Sequence, residues 1–85
     1  MTGAEALEAI RGLARAGRID VVDHAAQRMR QRRVQFGDLR HALENARAAA
    51  AQPDERWKVD GPDLDGDDLT VVVVVEDGLI VVTVY

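Results

Sequence analysis

The chain has 85 residues, a net charge of −4, 47% hydrophobic residues and no cysteine. That length makes a single domain, one that buries only roughly 60% of the surface its unfolded chain would expose, and the hydrophobic share is too high for a disordered chain. The absence of cysteine excludes disulfides and thiolate metal sites and implies no oxidising compartment.

The opening stretch, Met1 to Arg18, is broken by Glu5, Glu8, Arg11 and Arg15 and has no apolar run, so it is not expected to act as a signal peptide. Residues 3–16 predict a first helix, with Ala4, Leu7, Ile10, Leu13 and Ala14 near helical spacing and Gly17 as its C-terminal stop. Ile19 to Val22 is a short apolar link. Asp23 is expected to cap a second helix running from His24 to about Arg33. Asp38 is expected to cap a third, with Leu39, Leu43 and Ala46 on one face, continuing through the alanines and ending before Pro53.

The period changes after Pro53. Arg56-Trp57-Lys58-Val59-Asp60 alternates polar and apolar, which predicts a half-buried strand ending at Gly61-Pro62. Leu69 to Val75 and Leu79 to Tyr85 are β-branched runs with Asp77-Gly78 between them, a strong hairpin signal. Five consecutive valines, Val71 to Val75, call for a strand covered on both faces, or by helices on one and a partner on the other. The expected fold is α+β: two or three N-terminal helices packed on a three-stranded antiparallel sheet. Residues 1–52 supply the helices and residues 55–85 the sheet, within one domain spanning 1–85. No run spans a bilayer, so no membrane is expected and the expected location is the cytoplasm.

Charge is unevenly placed. Arg28, Arg30, Arg32, Arg33 and Arg40 stand against Asp38 alone between His24 and Arg40, whereas Asp54 to Asp68 is acid-rich. The acidic total argues against a nucleic-acid binder, but a local basic face can hold phosphate on an acidic molecule. His24, Arg28 and Arg32 are spaced i, i+4, i+8 and stack along one side of a helix. An imidazole can take and give a proton near neutral pH, and a guanidinium fork matches phosphate oxygens. Together they are what metal-free RNA cleavage needs: a base for the 2′-hydroxyl and cations for the charge that builds on phosphorus oxygens. The plainer alternative is a solvated Arg-rich face beside a polar helix start.

No metal or cofactor is expected. His41 reads as surface or boundary, and its 17-position separation from His24 is no ligand spacing. The segment Asp63-Leu64-Asp65-Gly66-Asp67-Asp68 misplaces the glycine of a calcium loop and would put Val74 where that loop has glutamate, so it reads as a solvated turn.

The string His24-Ala25, Arg28-Met29 and Arg32-Arg33-Val34, followed by Asp38-Leu39 and Ala42-Leu43, resembles the domain of unknown function 4258 family over about residues 20–85. Trp57-Lys58-Val59, the valine run, Asp77-Gly78 and Val81 to Tyr85 fit the same pattern. One departure is Arg33, where the family pattern has glycine. The resemblance implies a small toxin of a bacterial toxin–antitoxin pair, with a RelE- or MqsR-type ribonuclease fold and RNA-facing groups on a helix and on the sheet. It implies messenger RNA as substrate and a cognate antitoxin as partner, in some gene pairs a zinc-finger protein. By that analogy His24, Arg28 and Arg32 are the catalytic candidates, and Arg33, Lys58 and Tyr85 the substrate-binding ones. Two other readings stand beside it: a non-catalytic binding or regulatory module whose arginines dock an acidic partner, and a homo-oligomer joined through the exposed edge of a Val-rich strand.

Overall fold

A computed structural model describes the whole chain, residues 1–85. The first helix, α1 (Gly3–Arg15), begins with a reciprocal cap: the Thr2 hydroxyl accepts from the Glu5 N–H at 3.1 Å, and the Glu5 carboxylate accepts from the Thr2 N–H at 2.8 Å. It stops at Gly17, whose φ of 75° lets the Arg18 N–H reach the Leu13 carbonyl. Ala6, Ile10 and Ala14 form its buried stripe, flanked by Leu7 and Leu13; Ala4 is exposed.

The Ile19–Val21 link is a strand, β1, and α2 (Asp23–Arg32) follows it directly. Asp23 is the first helical residue and makes no capping hydrogen bond; Val22 holds the cap position. Asp38 likewise lies inside α3 (Phe36–Glu44). Its two carboxylate oxygens accept from the Gln35 and Leu64 N–H groups, so it ties the helix start to a distant loop.

The alanine stretch is not helical. α3 ends at Glu44, and Ala48–Gln52 form β2, paired antiparallel with β3 (Arg56–Pro62). Alanine's helix preference amounts to fractions of a kcal/mol per residue, which a ladder of backbone bonds to a committed neighbour overrides. The strand β3 runs on through Gly61-Pro62 because α3 crosses it there. A Cβ at Gly61 would overlap the Ala42 carbonyl, so only glycine allows the approach.

β4 (Asp68–Val75) and β5 (Leu79–Val84) complete a five-stranded mixed sheet of order β1-β5-β4-β3-β2. The three expected strands are antiparallel as predicted; β2 extends that meander at one edge, and β1 joins the other edge parallel to β5. Three residues, Glu76-Asp77-Gly78, connect β4 and β5, with none at positive φ. Gly78 is needed for space instead, since a Cβ there would meet the Arg18 carbonyl at 3.1 Å.

All three helices pack on one sheet face. Val59, Leu69, Val71, Val73, Leu79, Val81 and Val84 join Ala25 and Met29 of α2 and Leu39, Ala42 and Leu43 of α3 in one core. The other face has no helix. Of the valines on that face, Val72 is only 6% exposed because Lys58 and Thr83 flank it across the strands. No helix is long and apolar enough to cross a membrane.

Candidate functional site

The cations divide into two populations by what they touch. Arg11 donates from Nε and Nη2 to the Ala46 carbonyl at 2.8 and 2.6 Å, and Arg15 Nη2 donates to the Glu44 carbonyl at 3.2 Å. Arg40 bonds the Arg15 carbonyl and pairs with Glu44; Arg47 pairs with Asp68 at 2.7 Å. These four hold α1, α3 and the strands together. Arg28, Arg30, Arg32, Arg33 and Lys58 have no carboxylate or carbonyl partner, nor have Arg18 and Arg56.

The residues predicted from the sequence fall into two groups within that free set. On α2, His24 and Arg32 are exposed and Arg28 is half-buried, on the flank of the stripe formed by Ala25 and Met29. His24 has no hydrogen-bond partner and stands at the helix start. It follows β1 closely and so lies beside the middle of β5, where the Val22 N–H donates to the Val81 carbonyl at 3.3 Å. Arg33 ends α2 in the left-handed region, φ 57° and ψ 37°, with its own N–H on the Arg30 carbonyl and the Val34 N–H on the Met29 carbonyl at 2.8 Å. It occupies the turn position that Gly17 fills after α1. Chain chemistry favours glycine there by roughly 1–2 kcal/mol.

The second group is on the open sheet face. Lys58 Nζ lies 5.9 Å from the centroid of the Tyr85 ring, and that ring is 53% exposed. The structure thus brings Lys58 and Tyr85 together, and His24, Arg28, Arg32 and Arg33 together, but on opposite layers joined at the β5–β1 edge. Neither of the two surface clefts, about 320 and 240 Å³, is lined by any of these six residues.

His41 is half-buried, with Nδ1 3.0 Å from the Pro62 carbonyl, which gives it a structural role between α3 and β3. Asp63 turns the acidic loop by accepting from the Asp65 and Asp67 N–H groups, each at 2.9 Å, while Gly66 takes φ 86°. The residues that sequence reading missed are Asp60, Thr70 and Thr83, which share the open face with Lys58 and Tyr85. The alternation in β3 signals the face of Asp60; the pairing that adds Thr70 and Thr83 has no local signal.

The pattern of the family described as Domain of unknown function (DUF4258) matches residues 21–85, and the chain belongs to that family. No curated protein and no solved structure matches it.

Proposed function

We propose that the protein is a metal-independent endoribonuclease toxin of a bacterial toxin–antitoxin pair, acting on messenger RNA in the cytoplasm, with a RelE-type division into a helical layer and an open sheet face. The observation that carries this reading is the partition of cations. Those with structural work to do are already bonded, while the stripe beside His24 and the open-face Lys58 are left for an anion. His24 takes the proton of the 2′-hydroxyl, whose oxygen attacks the adjacent phosphorus; the P–O5′ bond breaks, O5′ leaves as a hydroxyl with a proton from the imidazolium or from water, and a 2′,3′-cyclic phosphate remains. Arg28 and Arg32 hold the charge that builds on the non-bridging oxygens, and Arg33 and Lys58 hold flanking phosphates.

The test is cleavage of a messenger RNA in chelator, with and without ribosomes. His24→Ala should lose activity by about 10²–10⁴-fold with the fold intact. Arg28→Ala should lose about 10²–10³-fold, and Arg28→Lys should recover little, because a point charge cannot reproduce the bidentate fork. Activity that vanishes in chelator, or that survives His24→Ala, rejects this mechanism. The separation of the α2 stripe from Lys58 and Tyr85 favours one other reading, a module whose helix stripe docks an acidic partner. Binding without any cleavage is its signature.

A further inference from the structure

We propose that the open sheet face carries a guanine-reading patch, in which the Asp60 carboxylate recognises the base, Tyr85 stacks on it and Lys58 holds the adjoining phosphate. This rests on the RNA reading above. Lys58 and Asp60 are two residues apart on β3 and therefore share a face. Asp60 is paired across to Thr70, and the Tyr85 N–H donates to the Thr70 carbonyl at 2.9 Å, so Asp60, Thr70 and Tyr85 form a row across β3, β4 and the residue that follows β5. The contact of Lys58 Nζ with the Tyr85 ring puts both on that face.

Asp60 is prepared for such a role in three ways. The Thr70 hydroxyl donates to its Oδ1 at 2.7 Å, which fixes the carboxylate plane and leaves Oδ2 without a partner. No cation pairs with it, in contrast to Asp68 with Arg47. Its other cross-strand neighbour is Ala48, too small to cover it. Asp60 and Tyr85 lie two strands apart, about 10 Å, with the short Thr70 between them, which leaves room for one base.

The choice of base follows from donor count. An ionised carboxylate only accepts hydrogen bonds. Guanine alone presents two adjacent donors, N1–H and N2–H, on its Watson–Crick edge. Adenine and cytosine each place a ring acceptor beside their amino group, and uracil places its one N–H between two carbonyls, so each meets the carboxylate with at least one repulsive contact. Single-stranded RNA exposes these edges, and aromatic stacking holds the base without regard to its identity. Tyr85 and Lys58 therefore supply affinity and Asp60 supplies selection.

The experiment is titration of the full chain, followed by amide nuclear magnetic resonance, with the tetranucleotides UUGU, UUAU, UUCU and UUUU at one salt concentration. UUGU should bind about tenfold more tightly than the others, with shifts at Lys58, Asp60, Thr70, Thr83 and Tyr85. Asp60→Asn, at an exposed position whose bond to Thr70 the amide oxygen can keep, should abolish that preference without disturbing the spectrum of the free protein. Lys58→Ala should weaken all four and retain the preference. Equal affinities, a preference that survives Asp60→Asn, or shifts confined to α2 would overturn the patch and leave the RNA reading standing. Absence of binding by all four would overturn both.

Discussion

Replacing Arg33 by glycine should stabilise the protein. Arg33 is exposed, its side chain has no hydrogen-bonding or ionic partner, and it holds φ 57° at the end of α2. For a residue with a Cβ the left-handed region costs roughly 1–2 kcal/mol. Glycine removes that cost but has more freedom to lose on folding, worth roughly 0.5–1 kcal/mol. The balance is a gain of roughly 0.75 kcal/mol, which for a domain of this size raises Tm by about 3–6 °C. Differential scanning calorimetry or urea unfolding measures it, with Arg33→Ala as the control. Alanine relieves the charge crowding among Arg28, Arg30, Arg32 and Arg33 but keeps the Cβ, so it should leave stability nearly unchanged. An equal gain in both variants would place the cost in charge repulsion and refute the backbone argument; a loss in the glycine variant would refute it outright. The same substitution should weaken RNA binding. Glycine is the better residue for this turn, so Arg33 places a cation there at the expense of stability.

Gly61→Ala should destabilise by about 1–3 kcal/mol or more, read as a fall in the urea midpoint, because α3 must move away from β3 to clear the new methyl group; an unchanged midpoint would show the crossing to be looser than described. Glu5 accepts from the Thr2 backbone N–H and receives further help from the Thr2 side chain, and its carboxyl is held below the usual range. A depressed folded-state value means the contribution is present above the unfolded-state value and lost as pH falls through the folded one. Glu5→Gln should therefore flatten the acid side of the stability profile, measured as urea midpoint against pH. Lys58→Ala should lower the slope of log affinity against log salt by about 0.7, the value for one phosphate contact on a single strand, and an unchanged slope would remove Lys58 from the RNA track.

The α+β order, the left-handed stop at Gly17 and the antiparallel arrangement of β3, β4 and β5 are legible in the chain because each rests on a local signal: periodicity, a glycine, a turn. β1 and β2 are not. Three residues, Ile19–Val21, are too few to show a period, and their only ladder partner is sixty positions away in β5. Ala48–Ala51 carry a helical signal, and what makes them a strand is the neighbouring hairpin arm. The expected Asp38 cap differs for a similar reason: Asp38 serves two N–H groups, one of them on the distant Leu64. For the candidate site, the spacing of His24, Arg28 and Arg32 identifies the stripe. That Arg11 and Arg15 are bound to carbonyls at the end of α3 while Arg28 and Arg32 have no partner depends on tertiary contacts and has no trace in charge or spacing.

The helix α1 precedes the family's shared pattern yet belongs to the same core. The match begins at Val21, whereas Ala6, Ile10 and Ala14 are fully buried among residues of that shared region, and the Arg11 guanidinium holds the Ala46 carbonyl with two hydrogen bonds. The border of the family pattern and the border of the packed core therefore lie in different places. A piece cut at Val21 would keep all seven residues proposed to meet RNA while uncovering one side of its own core. What the opening helix supplies to that core is three small or apolar side chains and one guanidinium in register.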